Sequence, residues 1–366
     1  MARIAISLCG EGRGHATRVS TLVHRLEERH ELLVWTSADA LEFLRRRFAH
    51  GHPRVRIEQV PGMVFEYSAG RLDVARSIAA GIDYHARLLG PLVDRMIGEL
   101  EAFGADLAIT DFEPALPRAA GRLGLPLVSV DHQHFLVAYD LDVLPLSLRW
   151  HAWLMGHAVW MVVPEADDTV ISAFFRPPLR HGWEHAVQVG PLLRPEVAAA
   201  RPSDGGFVLS YLRRHTPFST IEALADCGVP VRVYGLGERE AVGRVSFHAI
   251  DDAVFVADLA ACTALVAAAG NQLIGEALHL GKPMLVLPEV AHAEQSMNAH
   301  FLRSMGCGDF CPLEEVTPDR VRRFLEERDR HRAALAALVG RMDGTADVLH
   351  VIEHRLETAR SVAVGR

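Results

Sequence analysis

Short apolar runs of about five residues alternate with longer amphipathic stretches along most of the chain, and the two kinds of segment repeat with different periods. Residues 3–8 form the first run, which ends in Cys9-Gly10-Glu11-Gly12-Arg13-Gly14, a glycine-rich turn. A helix is expected from about 15 to 29, then strands at 31–36 and 55–60 with a helix over 38–48 between them. Residues 70–103 read as a long helical region broken near Gly90-Pro91, since proline brings no N–H to a helix interior. Strands at 106–110 and 126–130 enclose a further helix, and 150–163 is expected to hold a helix end and another apolar strand. This alternation predicts an α/β protein with parallel sheets.

After residues 185–189 the chain meets Gly190-Pro191-Leu192-Leu193-Arg194-Pro195 and, soon after, Arg201-Pro202-Ser203-Asp204-Gly205-Gly206. Two breaks rich in proline and glycine this close together read as an interdomain connection. A second alternation follows, with strands expected at 207–210, 229–234, 245–249, 263–268 and 283–287, and a charged helical end over 318–359. The expected organisation is a first domain over 1–190, a linker over 191–206, a second domain over 207–345 and a last helix over 346–366. Both domains are expected to be doubly wound parallel sheets of Rossmann-like form.

Composition narrows the function classes. The formal net charge of −8 argues against a general nucleic-acid binder, which would show a basic surplus. Cys9, Cys227, Cys262, Cys307 and Cys311 are scattered, so neither a zinc site nor a disulfide framework follows, and free thiols in a reducing compartment are expected. Residues 3–8 are too short for an export core before Gly10, and 144–163 carries Pro145, Arg149, His151 and His157, which argues against a spanning helix. A cytoplasmic protein is expected.

Two stretches carry the candidate chemistry. In the first, His15 follows the turn at Gly12-Arg13-Gly14 and opens a helix at the carboxyl end of a strand, where open parallel sheets bind their ligands. Imidazole titrates near neutrality, so His15 suits a general base on a hydroxyl, or a hydrogen-bond donor to phosphate. Asp111, at the end of the fourth strand, lies at the same edge and also reads as a helix cap. In the second stretch, Ala267-Ala268-Ala269-Gly270-Asn271-Gln272 turns a strand into a helix, with Glu276 one and a half turns on. The helix start is an anion site, and a carboxylate there can grip a vicinal diol. Downstream, Glu294 and Gln295 open another helix with groups suited to sugar hydroxyls.

The order Gly270…Glu276, then Gly281-Lys282-Pro283-Met284-Leu285-Val286-Leu287-Pro288, then Glu294-Gln295…Asn298-Ala299, resembles the nucleotide-binding half of the GT-B glycosyltransferases. The likeness is to the branch of UDP-glycosyltransferases and the lipid II-forming N-acetylglucosaminyltransferase, although Asn271 stands where relatives often carry a second glycine. The Gly12-x-Gly14-His15-x-x-Arg18 form is similar to first loops of GT-B proteins, and the likeness to UDP-glycosyltransferases implies that Asp111 or Glu113 orients His15 as catalytic base. The resemblance implies two domains facing a cleft and a last helix packing back on the first. It also implies donor-nucleotide contacts at Gly14, Ser210, Arg213, Ile250, Gly270, Asn271, Gln272 and Glu276, and donor-sugar contacts at Glu294 and Gln295. His132 and His134, in Asp131-His132-Gln133-His134, are candidates for the acceptor side rather than for a metal.

The expected function is therefore transfer of a sugar from a nucleotide diphosphate sugar, UDP-linked, to an acceptor hydroxyl. His15 would be the base, no protein-bound metal or other cofactor is expected, and inversion is expected because no covalent nucleophile is indicated. The alternatives are a nucleotide-sugar hydrolase or epimerase on the same fold, and a binding protein that keeps only the donor site. The aromatic run 135–160 reads as core, as an acceptor groove, or as a peripheral membrane contact.

Overall fold

The computed structural model describes residues 1–63, 67–68, 71–72, 74–213, 216–290 and 292–364. The strands of the first half are β1 (Arg3–Leu8), β2 (Glu31–Thr36), β3 (Val55–Gln59), β4 (Tyr67–Ser68), β5 (Arg71–Leu72), β6 (Leu107–Asp111), β7 (Leu127–Asp131), β8 (Asp168–Ser172) and β9 (Val187–Val189). Seven of these form one sheet in the order β3-β2-β1-β6-β7-β8-β9, and β4 and β5 make a small antiparallel hairpin. The second half contributes β10 (Val208–Tyr211), β11 (Val231–Tyr234), β12 (Val245–His248), β13 (Ala264–Ala267), β14 (Met284–Val286) and β15 (Gly308–Phe310), in the order β12-β11-β10-β13-β14-β15. Every strand pair in the two large sheets is parallel. The central strands β1, β2, β6, β7, β10 and β13 are almost wholly buried on both faces, as a sheet covered by helices on each side requires, whereas the edge strand β3 is not.

Each sheet reverses its winding once. In the first sheet this happens between β1 and β6, where Leu8 is level with Asp111; in the second it happens between β10 and β13, where Tyr211 is level with Ala267. At such points the loops after two neighbouring strands splay to opposite faces and leave a crevice. The two crevices face each other across the domain boundary. Apolar core spans that boundary: Phe175 of the first domain stacks on Phe301 of the second with centroids 3.8 Å apart. The final helix, Thr345–Val364, returns to the first domain, where Val348, Ile352 and Leu356 join the core of the seven-stranded sheet. Arg355 Nε holds Asp168 at 2.6 Å beside it.

Lys282, the chain's one lysine, is buried where linker and second sheet meet. Its Nζ donates to the carbonyls of Cys262 (2.9 Å) and Ser203 (2.5 Å). Gly275 allows a close approach nearby, since a Cβ there would strike the ring of Pro191 in the linker.

Three expectations need correction. Residues 146–162 are one continuous helix, Leu146–Val162, and the next strand begins only at Asp168. The helix is apolar on two faces, with Ala152, Gly156, Val159 and Val162 inward and Leu146, Trp150, Trp153, Leu154 and Met161 outward, so the polar side that marks a helix in sequence is missing. The break in the long helical region lies at a π-helical turn, Tyr84–Leu88, ahead of Pro91, which sits harmlessly in the first turn of the helix Leu89–Phe103. β15 escaped the sequence reading because it is three residues long and begins with glycine. Of the loop 61–70 that follows β3, residues 64–66 and 69–70 lie outside the described residues.

Candidate active site between the two sheets

At the first crevice Gly12 adopts φ 89°, a left-handed turn that glycine takes freely, and the helix Arg13–Leu26 starts immediately after it. His15 stands in the first turn of that helix. Its Nδ1 lies 2.9 Å from Asp111 Oδ1 at the end of β6. Arg18, one turn on along the same face, sends Nη2 to Oδ1 (2.7 Å) and Nε to Oδ2 (3.0 Å) of the same carboxylate. Asp111 and Arg18 are 1% and 3% exposed, so this is a buried charge pair with an imidazole at its rim.

A carboxylate only accepts, so the contact with Asp111 assigns the proton of neutral His15 to Nδ1 and leaves the Nε2 lone pair free. Nη2 of Arg18 lies 3.2 Å from the same Nδ1, two donors converging on one carboxylate. Burial opposes the Arg18 charge, but Asp111 outweighs it and holds the guanidinium above its ordinary value.

Phe112 has φ 56°, a left-handed conformation uncommon for a bulky residue. That turn separates two neighbouring carboxylates. Asp111 faces His15, whereas both oxygens of Glu113 accept from the amides of Ala115 (2.9 Å) and Leu116 (3.0 Å) at the start of the helix Ala115–Leu123. Capping falls to Glu113, and orientation of the histidine to Asp111. Burial raises the Glu113 carboxyl above the usual carboxylate range.

Glu294, from the start of the helix Ala293–Ser304 in the second domain, lies in the field of this cluster. Burial alone would raise its carboxyl, yet His132, His292, His15 and Arg18 bring it below the ordinary range. Beside it Gln295 Oε1 accepts from the Glu289 amide (3.0 Å), and Arg213, following β10, holds Glu289 at 3.1 Å. His132 is buried, with Nδ1 3.2 Å from the Ser172 carbonyl and Nε2 3.3 Å from Asn298 Oδ1. Burial lowers its basicity. His134 is buried too, its Nδ1 2.7 Å from Asp131, which also accepts from Ser129. Both histidines are thus bound within the protein.

At the second crevice Gly270 caps the helix Asn271–His279. A Cβ at Gly270, or at Gly14 opposite, would meet nothing within 4 Å, so open space adjoins both turns. The side chains around them are more committed than the sequence suggested. Asn271 donates Nδ2 to the Ser172 carbonyl (3.1 Å) and accepts from the Phe174 amide (3.2 Å), joining the domains. Ser210 is fully buried and donates to the Val266 carbonyl within the sheet. Ile250 is exposed ahead of the helix Asp252–Ala261. Glu276 is only 2% exposed, and Arg194 forks it, Nε to Oε1 at 3.0 Å and Nη2 to Oε2 at 2.7 Å. Gln272 Nε2 donates to the Leu192 carbonyl (2.8 Å) and to Glu276 Oε1 (3.2 Å).

Residues 2–328 match the family model of glycosyl transferase family 1. The chain belongs to glycosyl transferase family 1. An "uncharacterized glycosyltransferase" of Methanosarcina mazei is 25% identical over 394 residues, covering 96% of this chain and 98% of that one. A second, of Methanosarcina acetivorans, is 24% identical over 387 residues, covering 97% and 98%. UGT89C1 of Arabidopsis thaliana, solved with UDP-L-rhamnose, is similar in structure with a TM-score of 0.72 at 16% identity, covering 97% of this chain and 99% of that one. The glycosyltransferase VinC, solved with dTDP, gives 0.61 at 15% identity, covering 97% and 100%. At such identities the likeness shows the fold, which is GT-B.

Among the described residues of this glycosyltransferase no three His, Cys, Asp or Glu side chains are grouped to hold a metal ion, and no helix is long and apolar enough to cross a membrane. Three site residues had no assigned role in the sequence reading: Arg18, Arg194 and Asp252. Arg18 was legible in principle, three residues after His15 on one helix. Arg194 was not, because its partner is 82 residues away.

Proposed function

We propose that this glycosyltransferase moves a sugar from a nucleotide diphosphate donor, UDP-linked, to a hydroxyl acceptor in a single inverting displacement. The observation that carries the reading is the His15–Asp111 contact at the first crevice. With Nδ1 held by Asp111, His15 Nε2 takes the proton of the attacking hydroxyl as the new glycosidic bond forms. The anomeric carbon gains positive character as the diphosphate departs. The amides at the start of the helix Asn271–His279 stabilise the departing negative charge, aided by the helix dipole. Glu294, held ionised in the field of His132, His292, His15 and Arg18, would grip the hydroxyls of the donor sugar together with Gln295.

The outward face of the helix Leu146–Val162, with Trp150 and Trp153 stacked at 4.8 Å, supports a peripheral membrane contact. Vesicle cosedimentation that disappears in a W150S/W153S variant tests that contact.

The deciding experiment is turnover of UDP-sugars with and without acceptor alcohols, in wild type and His15→Ala. His15→Ala should lower kcat about 10²–10⁴-fold while nucleotide affinity stays. Equal turnover in the variant sinks the assignment of the base. Donor turnover that needs no acceptor turns the reading toward a hydrolase.

A further inference from the structure

Glu276 cannot meet a ribose as the protein stands. Both its oxygens already accept from the planar fork of Arg194, and the pair is almost wholly buried. A guanidinium offers two parallel N–H donors, and a vicinal diol offers two O–H donors at similar spacing. The linker therefore supplies a stand-in for the two hydroxyls.

Two further observations set this pair apart from a purely structural ion pair. Gln272 is 8% exposed, and its Oε1 has no hydrogen-bond partner among the described residues, although Nε2 of the same amide contacts Glu276. A buried acceptor without a donor is costly, and a hydroxyl arriving beside Glu276 would satisfy it. The guanidinium also has a second anion within reach. Its Nη1 lies 3.4 Å from Asp252 Oδ1, and the same oxygen lies 3.4 Å from Nη2 of Arg13, two residues before His15.

We propose that Arg194 is a ribose gate: it competes with the hydroxyls of the donor nucleotide for Glu276 and passes to Asp252 when they take its place. The proposal rests on the donor-site reading above and adds a residue that controls access to that site. Gly275 is part of the device, because only glycine lets Pro191 lie against this helix and carry Arg194 to the carboxylate three residues further along the linker. With Arg194 on Asp252, beside Arg13, the filled nucleotide site bears on the loop that positions the base. The gate lowers nucleotide affinity by the fraction of time Glu276 is occupied, as any competing closed state does.

The test is calorimetric binding of UDP, GDP and ADP, and of the 2′,3′-dideoxy analogue of whichever binds best, to wild type, Arg194→Met, Arg194→Lys and Glu276→Ala. Met keeps the apolar stem and removes the fork. Arg194→Met should bind the ribonucleotide about tenfold tighter, with no gain for the dideoxy analogue. Arg194→Lys, which keeps the charge without the fork, should show a smaller gain and decides the matter if the Met variant does not fold. Affinity unchanged or weakened in both variants, or an equal gain for the dideoxy analogue, overturns the gate. If wild type binds none of the three, or Glu276→Ala binds as well as wild type, the donor-site reading fails and the gate falls with it. A loss on Glu276→Ala without a gain on either Arg194 variant removes the gate alone.

Discussion

The two crevices are built alike and finished differently. At each, a carboxylate stands where a sheet reverses its winding, and an arginine forks both its oxygens: Arg18 on Asp111 in the first domain, Arg194 on Glu276 in the second. Asp111 has a second partner, an imidazole whose far nitrogen stays open. The second partner of Glu276 is an amide whose own oxygen is stranded. The first carboxylate orients a group that can move a proton, and its arginine comes from its own domain, rigid in a helix. The second is held by an arginine from the linker. Identical ion-pair chemistry thus serves a fixed device in one place and a displaceable one in the other, and what separates them is where the arginine is anchored.

Breaking the first cluster should have the largest effect. Asp111→Asn replaces one acceptor oxygen with an amide donor, so the His15 tautomer is no longer fixed, and kcat should fall by about 10²–10⁴-fold with nucleotide affinity little changed; steady-state kinetics beside calorimetry checks both. Arg18→Met leaves a buried carboxylate short of its counter-charge. A stability loss of about 3–5 kcal/mol is expected in urea titration, larger than for Arg194→Met, whose partner keeps the Gln272 amide. A smaller loss for Arg18→Met than for Arg194→Met would reverse the contrast between fixed and displaceable arginines.

The mildest effect concerns pH. Burial holds His132 below the ordinary histidine value of 6.5, with Arg18 adding to burial and Glu294 opposing it. The unfolded chain takes up the proton first, so stability should decline as pH falls below about 6.5. Glu294, held below 4.5, adds a further loss only as pH falls from there. His132→Gln should flatten the first slope and leave the second, as thermal melts between pH 7 and 3 would show.

Much of this was legible in the sequence because it is local. The glycine turns at Gly12 and Gly270, the strand ends and the helix starts follow from short-range pattern, and they placed His15 and Asp111 at one edge before any contact was known. What escaped was either non-local or disguised. The Arg194–Glu276 pair joins linker to helix across 82 residues. Asn271 reads in sequence as a nucleotide contact and Asn298 as part of a donor-side motif; in the structure their amides also hold Ser172, Phe174, His132 and Ala269. A polar residue at a cleft serves a ligand or the facing domain, and composition does not separate the two. The helix Leu146–Val162 was disguised by its second apolar face.

The burial of Lys282 has a practical consequence. Because the chain has no other lysine and Lys282 is buried, the folded protein shields its one side-chain amine from amine-directed reagents. A succinimidyl dye should therefore reach the Lys282 amine only after unfolding. Dye stoichiometry then becomes a direct count of molecules in which linker and second sheet have come apart.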